Sequence, residues 1–247
     1  MRYLITFAYD GSKYNGYQKQ PNMNTVQDKL ESVLTTINNN KTVFVSASGR
    51  TDAGVHALNQ KAHFDLDISI TCDGLVKGLN SLLPDDIYVK DAINVPDKFH
   101  ARFDVNAKEY IYKINMGEYN PIEKDYVYQL NKKLDVVEIE RALKYIEGTH
   151  DFKSFTCGDD KREDYTRTII QANLIRDLKN VNMITLSFLG TGFMRYMVRN
   201  LVGIFIEIGL GKYKSTDIID ILEAKDRRKA GICAKACGLY LKDVFYR

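Results

Sequence analysis

One short segment of the chain brings together four side chains that can do chemistry: Arg50, Thr51, Asp52 and His56. The carboxyl group of Asp52 has an ordinary pKa of about 3.9, so it is an anion at neutral pH. Such a carboxylate can act as a nucleophile without a general base to activate it. The same residues also suit a plain turn, in which Thr51 and Asp52 bond to nearby backbone and Arg50 faces solvent.

A strand and two glycines are expected to position these side chains. The run from Phe44 to Ser48 is largely apolar with a β-branched residue, which predicts a buried strand over residues 42–48. Gly49 and Gly54 then bracket a loop, since glycine adopts backbone conformations that other residues resist. Binding and catalytic groups are commonly placed on such loops. The pattern therefore predicts an aspartate on a loop at the mouth of a strand.

Other segments contain residues suited to RNA or to an anion. Tyr14–Asn22 interleaves aromatic and amide side chains with lysine, which favours stacking on unpaired bases, although its tyrosines can equally cover the core. Tyr110 and Tyr112 share one face of a predicted strand, where core packing is the usual role. Arg195 and Arg199 are four residues apart in an apolar predicted helix, so their heads either reach solvent or meet a buried anion.

The overall composition is that of an ordinary globular protein. The chain has 247 residues, of which 45% are hydrophobic and 27% charged, enough for one large domain or two small ones. A net charge of +3 does not by itself indicate nucleic acid, so an RNA site requires a local basic face. The run Asp226–Lys229 is the strongest such candidate for phosphate contact, although a solvated face is its default role.

The first residues and the cysteines bear on location and cofactors. Met1–Ile5 leads into alternating strand residues without a secretory signal, and no apolar run reaches transmembrane length, so we expect a cytoplasmic protein. The four cysteines form no Cys-x-x-Cys pair and have no histidine at metal-ligand spacing. The chain also has no glycine-rich phosphate-binding motif. We therefore expect neither a metal nor a nucleotide cofactor.

Hydrophobic periodicity predicts strands and helices along the whole chain. In the first hundred residues the order is strand, helix, strand, strand, helix, strand, which resembles a ferredoxin-like split βαβ half. The predicted strands cover residues 3–9, 42–48, 61–66, 87–93, 108–114, 166–176 and 181–189, the last two as a hairpin. The predicted helices cover 25–37, with a capping box between Thr25 and Asp28, 75–83, 135–146, 192–208, and 215–222 with Ser215 as cap. We expect the polar run 158–164 to be an exposed loop.

Several of these segments resemble the TruA family of tRNA pseudouridine synthases. Gly49–Ala57 is similar to the signature loop of that family over nine consecutive positions, and Met197–Asn200, which reads Met-Val-Arg-Asn, resembles a second motif. Phe99–Phe103 is similar to a segment that links the two domains of the family, and Gly238–Leu241 closes the pattern. The resemblance covers almost the whole chain, in the order that the family keeps.

The resemblance implies a fold and a reaction. The expected fold class is α+β, with two ferredoxin-like α/β halves whose mostly antiparallel sheets join across a central cleft. The N-terminal domain, residues 1–104, carries the aspartate loop, and the C-terminal domain, residues 105–247, carries the uracil pocket. The implied reaction isomerises uridine to pseudouridine in the anticodon stem-loop of tRNA, at positions 38 to 40, without a cofactor. The implied assembly is a homodimer in which tRNA spans both subunits.

The resemblance also implies roles for five residues. Asp52 is the catalytic carboxylate, which either attacks C1′ of the sugar or stabilises its developing positive charge. Arg199 forms an ion pair with Asp52, and Tyr110 stacks on the target uracil and assists removal of its proton. Leu239 lines the uracil pocket, and Arg50 assists extrusion of the base or holds a phosphate.

Other functions are compatible with the same features. An RNA-binding protein of this fold can lack the chemistry, although Asp52, Tyr110 and Arg199 argue against that alternative. A base-excising enzyme would use the same carboxylate with water. A paralogue that modifies other RNA uridines is an alternative within the family. Tyr17 stands where the family usually has tryptophan, and Ile232–Cys237 replaces the proline-containing segment that is common before the last motif.

Overall fold

The computed structural model describes residues 1–157 and 163–246, and the chain divides into two compact units. The first unit comprises Met1–Asn106 with Tyr240–Arg247, and the second comprises Ala107–Leu239. The last residues of the chain therefore group with the first unit, whereas we expected them in the second domain. The domain boundary at residue 104 stays a prediction.

Ten strands and five α-helices are found within the described residues. The strands are β1 Arg2–Tyr9, β2 Ser46–Ala47, β3 His56–Asp65, β4 Ile87–Asn94, β5 Val105–Asn115, β6 Tyr128–Gln129, β7 Gly148–Asp151, β8 Thr166–Arg176, β9 Met183–Gly190 and β10 Leu239–Tyr246. The helices are α1 Val26–Ile37, α2 Cys72–Leu82, α3 Val136–Lys144, α4 Met197–Gly209 and α5 Asp217–Ala224. In this part of the chain none of the helices has the length and apolar character needed to span a bilayer.

The first unit has the strand arrangement of a ferredoxin-like half. Its sheet has the order β4-β1-β3 with antiparallel pairing, and the short β2 pairs with the far edge of β3. The same edge of β3 also pairs in parallel with β10, where Tyr240 lies opposite His56. The core packed on this sheet includes the fully buried side chains Tyr3, Ile5, Phe7, Leu30, Leu34 and Leu75.

The strand predicted over residues 42–48 is wrong except at β2. Side chains of α1 accept hydrogen bonds from the backbone N–H groups of this segment. The N–H of Val45 donates to Oε1 of Glu31 at 3.1 Å, and the N–H of Val43 donates to Oγ1 of Thr35 at 3.2 Å. Backbone donors that already have side-chain partners need no neighbouring strand.

Two further features of the first unit differ from prediction. β3 begins at His56 and not at residue 61, so the strand starts almost directly after Asp52. Thr25 precedes α1, as predicted, but its side chain makes no capping hydrogen bond. The carboxylate of Asp28 is instead 2.8 Å from Nζ of Lys19. The capping box is therefore wrong, although the start of the helix is confirmed.

The second unit is built on an antiparallel sheet in the order β5-β9-β8-β7, and β6 pairs in parallel with β5. β8 and β9 form the predicted hairpin. Helix α4 is buried along almost its whole length, and its Phe205 stacks on Phe188 of β9 with ring centroids 6.2 Å apart. The α+β class with mostly antiparallel strands is confirmed, and the joining of two sheets across a cleft stays a prediction.

The long helix predicted from Gly192 begins instead at Met197. Tyr196, the residue before it, has φ of 63°, in the left-handed region that interrupts a right-handed helix. Arg195 therefore lies outside α4. The prediction that Arg195 and Arg199 share one helical face is wrong.

Two other expectations concern the second unit. α5 begins at Asp217, and the hydroxyl of Ser215 lies 3.3 Å from Oε1 of Glu138 and does not cap the helix. Residues 158–162 of the polar run predicted to be a loop lie outside the described residues.

Candidate active site

The loop that carries Asp52 joins β2 to β3. Thr51 is buried, Asp52 is partly exposed and Arg50 is exposed. The N–H of Val55 donates to the carbonyl of Asp52 at 3.1 Å, which closes a turn directly before β3. The carboxylate thus stands on a short, internally bonded loop between two strands.

Residues 9–17 hold this loop on both sides of Asp52. The hydroxyl groups of Tyr9 and Thr51 share a hydrogen bond of 2.8 Å. The N–H of Tyr17 donates to the carbonyl of Thr51 at 3.1 Å, and the N–H of Gly54 donates to the carbonyl of Tyr14 at 3.3 Å. The backbone is therefore fixed immediately before and shortly after the carboxylate.

Gly16 is required where these two segments meet. Its φ is 93°, in the region that favours glycine. An ideal Cβ at this position would lie 2.8 Å from the carbonyl oxygen of Thr51 and 3.2 Å from the backbone nitrogen of Ala53. Any side chain here would press on the peptide groups on both sides of Asp52.

The tyrosines of this segment belong to the core. Tyr14 is 4% exposed and Tyr17 is 2% exposed, so the base-stacking interpretation is wrong for these two rings. Burial raises the pKa of Tyr9 to about 12 and raises the pKa of Tyr17 well above its ordinary value. These phenols therefore stay neutral at neutral pH and are not bases there.

His56 has a structural environment at the start of β3. It is 2% exposed, and its ring stacks on that of Tyr240 with centroids 4.7 Å apart. Its Nδ1 accepts a hydrogen bond from the N–H of Gly11 at 3.1 Å and lies 3.2 Å from a carboxylate oxygen of Asp10. Because a nitrogen that accepts a bond carries no proton, we interpret the second contact as a close approach and not as an ion pair.

Tyr110 and Tyr112 project from β5 in the second unit. Tyr112 is fully buried, its hydroxyl donates to the carbonyl of Lys235 at 2.7 Å, and burial raises its pKa well above the ordinary value. Tyr110 is 8% exposed, and its ring meets that of Phe193 edge to face with centroids 5.2 Å apart. Tyr112 is a core residue, whereas the stacking role of Tyr110 stays a prediction.

Arg199 lies in the first turn of α4 and is anchored by backbone contacts. Its Nε–H donates to the carbonyl of Ala234 at 2.8 Å, and the N–H of Ala234 donates to the carbonyl of Arg199 at 3.0 Å. The guanidinium carbon lies over the ring of Tyr196, 5.2 Å from its centroid. The guanidinium is therefore held at its Nε by a backbone carbonyl and on one face by an aromatic ring.

Leu239 follows a short 3₁₀ helix, Ala236–Gly238, and is 5% exposed. At Gly238 an ideal Cβ would lie 2.7 Å from the carbonyl oxygen of Lys113 and 2.8 Å from the ring of Tyr112. This close approach to β5 accounts for the glycine and fixes the path of the chain into Leu239.

The basic run that follows Asp226 is engaged within the chain. Nη1 of Arg227 donates to the carbonyl of Gly231 and Nη2 donates to Oδ1 of Asn200, both at 2.9 Å. Arg228 binds the carboxylate of Asp226, and that bond lowers the pKa of the carboxyl group to about 2. These contacts favour the solvated and structural interpretation of the run over phosphate binding.

The five predicted site residues divide between the units. Arg50 and Asp52 belong to the first unit, and Tyr110, Arg199 and Leu239 belong to the second. Among the residues that the structure describes, no three His, Cys, Asp or Glu side chains are grouped to hold a metal ion.

Sequence reasoning missed the residues that support these groups: Tyr9, Gly16, Tyr196 and Ala234. Tyr9, Gly16 and Ala234 act through partners that lie more than thirty positions away along the chain, which no local pattern reveals. Tyr196 had one usable signal, because it lies between Arg195 and Arg199 and directly before the second motif.

The chain is similar to known proteins over nearly its whole length. The family model described as tRNA pseudouridine synthase matches residues 5–104 and 142–247. The tRNA pseudouridine synthase A of an Exiguobacterium species is 45% identical over 245 residues, which cover 99% of this chain and 98% of that protein. That of a Geobacillus species is 43% identical over 246 residues, with 99% and 98% covered. A solved Cbf5-Nop10-Gar1 complex matches 83% of this chain and 45% of the other at 12% identity and a TM-score of 0.37, a likeness too weak to inform the fold. The chain therefore belongs to the tRNA pseudouridine synthase family, as its resemblance to TruA proteins predicts.

Proposed function

We propose that this protein isomerises uridine to pseudouridine in tRNA, with Asp52 as its catalytic carboxylate. Membership of the family supports the reaction. The choice of Asp52 is supported by its surroundings. Asp52 is partly exposed, and the loop that bears it is held by hydrogen bonds on both sides of the carboxylate. A group held in this way meets a substrate with little loss of conformational freedom.

The reaction rearranges one nucleotide without adding or removing atoms. The bond between N1 of uracil and C1′ of ribose breaks, and a bond between C5 and C1′ forms. C5 loses a proton and N1 gains one, so neither a redox partner nor a group donor is needed. Asp52 attacks C1′ or stabilises the positive charge that develops on the sugar, as the carboxylates of glycosidases do.

The target base must leave its stack before a carboxylate can reach its sugar. This extrusion costs about a few kcal/mol, which stacking and edge contacts offset. We assign base stacking to Tyr110, and base extrusion or phosphate contact to Arg50, which is exposed on the same loop as Asp52. Arg199 is the proposed ion-pair partner of Asp52, and Leu239 is a proposed wall of the uracil pocket.

The finer properties that the family resemblance implies are part of the proposal. These properties are a cytoplasmic location, a homodimeric assembly and target uridines in the anticodon stem-loop. Incubating unmodified tRNA transcripts with the protein and mapping pseudouridine by position identifies the targets. Light scattering at several protein concentrations measures the oligomeric state.

The substitution Asp52→Asn tests the catalytic assignment. We expect the variant to bind tRNA like the wild type and to form no pseudouridine, because an amide neither attacks C1′ nor stabilises its positive charge. Asp67→Asn is a matched control, since the Asp67 side chain is 63% exposed in the same unit and has no assigned role. Pseudouridine formation by the Asp52→Asn protein would show that another group does the chemistry.

Mass spectrometry of the treated tRNA separates the alternatives. Isomerisation leaves the mass unchanged and makes the nucleotide retain its carbodiimide adduct. Excision removes the mass of one base. A protein that only binds RNA changes neither property.

A further inference from the structure

Tyr196 occupies a backbone conformation that tyrosine rarely adopts. Its φ of 63° and ψ of −2° place it in the left-handed region, where a Cβ atom is crowded by the chain. Six non-glycine residues within 1–157 and 163–246 have positive φ, and four of them are asparagine, which tolerates this region. Tyr196 is the one aromatic residue among those six.

Helix capping does not explain a tyrosine at this position. The side chain of Tyr196 makes no capping hydrogen bond to α4. Asparagine would fit this left-handed conformation at less cost than tyrosine does. Backbone strain of this kind persists where the surrounding structure gains something from the residue that bears it.

The ring of Tyr196 instead contacts two guanidinium groups. The guanidinium carbon of Arg199 lies 5.2 Å from the ring centroid, and that of Arg195 lies 4.8 Å from it. Nη2 of Arg195 also lies 3.1 Å from the Tyr196 hydroxyl. Both distances to the centroid are within the range of cation–π attraction, which is strongest where the cation is shielded from water.

The contact with Arg199 complements the bond that Arg199 makes to the backbone. Its Nε–H donates to the carbonyl of Ala234 at 2.8 Å. A hydrogen bond at the edge of a planar group and a ring against its face constrain different motions of that group. The two contacts together therefore constrain the direction in which the Nη groups of Arg199 point.

We propose that Tyr196 is a positioning residue that orients the guanidinium of Arg199 for its part in the reaction. The inference rests on the proposed function, in which Arg199 pairs with the catalytic carboxylate. A charge partner that is displaced or free to rotate stabilises that carboxylate less well. The ring is the part of Tyr196 that does this, whereas its hydroxyl contacts Arg195.

Two substitutions separate positioning from folding. Tyr196→Asn removes the ring but fits the left-handed conformation, so we expect the relief of backbone strain to offset the lost ring contacts and the thermal midpoint to change little. Its kcat should fall by about tenfold, the size expected for a cation–π contact and a misplaced catalytic partner, while KM changes little. Tyr196→Phe keeps the ring and should keep kcat close to that of the wild type.

A second measurement does not depend on activity. In NMR spectra of protein labelled on arginine nitrogen, the Nε–H signal of Arg199, assigned with Arg199→Lys, reports the motion of the guanidinium. We expect restricted motion in the wild type and Tyr196→Phe, and faster motion in Tyr196→Asn.

The two readouts distinguish the possible failures. A stable Tyr196→Asn protein with wild-type kcat and a rigid Arg199 signal would overturn the inference. An equal loss of kcat in Tyr196→Phe would also overturn it, because the hydroxyl and not the ring would then be responsible. A wild-type protein that forms no pseudouridine, but whose Arg199 signal loosens in Tyr196→Asn, would overturn the proposed function and leave the positioning contact supported.

Discussion

The hydroxyl group of Tyr9 lies 2.8 Å from the hydroxyl group of Thr51, the residue directly before Asp52. Tyr9 is 4% exposed and Thr51 is 9% exposed, so this hydrogen bond is shielded from water. A buried hydroxyl that loses its hydrogen-bond partner still carries its full desolvation penalty. This penalty is larger than the net stabilisation that the hydrogen bond itself contributes. The bond therefore links the packing of β1 to the position of the Asp52 loop.

The substitution Tyr9→Phe removes this bond and leaves the ring in place. We expect the free energy of unfolding to fall by about 1–3 kcal/mol, because Oγ1 of Thr51 loses a buried partner. Turnover should fall as well, since the backbone of Asp52 is held less firmly. Urea unfolding and the pseudouridine assay measure both quantities, and in a Thr51→Val background the effect of Tyr9→Phe should shrink. Equal effects in both backgrounds would show that the two hydroxyls are not coupled.

The same substitution at Tyr17 should raise the free energy of unfolding, whereas Tyr9→Phe lowers it. The hydroxyl of Tyr17 is buried and has no hydrogen-bond partner within residues 1–157 and 163–246. Removing an unsatisfied polar group from the interior removes its desolvation cost, so we expect Tyr17→Phe to raise the free energy of unfolding by about 1 kcal/mol. Urea unfolding beside Tyr9→Phe provides the comparison. A loss of stability would indicate that the hydroxyl does bind a group.

Features with a local signal could be predicted from the sequence. The apolar periodicity of α1 and the alternation of β4, β8 and β9 locate these elements closely, because each pattern depends only on neighbouring residues. The loop around Asp52 could be recognised for the same reason, since its reactive side chains are contiguous in sequence.

Features that depend on distant partners could not be predicted. The β-branched run before Ser46 has strand propensity, yet its backbone bonds to side chains of α1. The helical pattern through Arg195 continues without a break, yet Tyr196 turns the chain into the left-handed region. In both cases tertiary contacts override a local preference, and at Tyr196 the conflict coincides with a proposed functional contact.

Gly16→Ala should destabilise the protein through the Asp52 loop. The new Cβ would lie 2.8 Å from the carbonyl oxygen of Thr51, and φ is 93°. We expect the free energy of unfolding to fall by about 1–3 kcal/mol and turnover to fall with it. Gly192→Ala is the matched control, since an ideal Cβ there has no neighbour within 4 Å. Similar effects of the two substitutions on stability would show that Gly16 does not carry this constraint.

Arg227 and Arg228 should differ in their effects on stability. Arg227 bonds to the buried Asn200, whose Nδ2 donates to the carbonyl of Phe155 at 2.7 Å. Arg227→Ala leaves Oδ1 of Asn200 without that donor and should lower the free energy of unfolding by about 1–3 kcal/mol. Arg228→Ala should change it much less than Arg227→Ala does, because the side chain of Arg228 is 89% exposed and pairs at the surface. Chemical unfolding of both variants checks this order, which a larger loss in Arg228→Ala would contradict.

His63 on β3 should make stability depend on pH. Its Nδ1 accepts a hydrogen bond from the N–H of Ala101 at 3.1 Å, and burial, with the nearby charges of His100 and Arg2, lowers its pKa below the ordinary value. The folded state then binds the proton less tightly than the unfolded chain does. The contribution of His63 is therefore complete above the ordinary histidine pKa of about 6.5 and is lost as the pH falls below it. In His63→Asn the new Oδ1 can accept the same hydrogen bond but does not titrate. The free energy of unfolding should therefore fall less between about pH 7 and pH 5 in this variant than in the wild type. An unchanged slope would show that other groups cause the acid sensitivity.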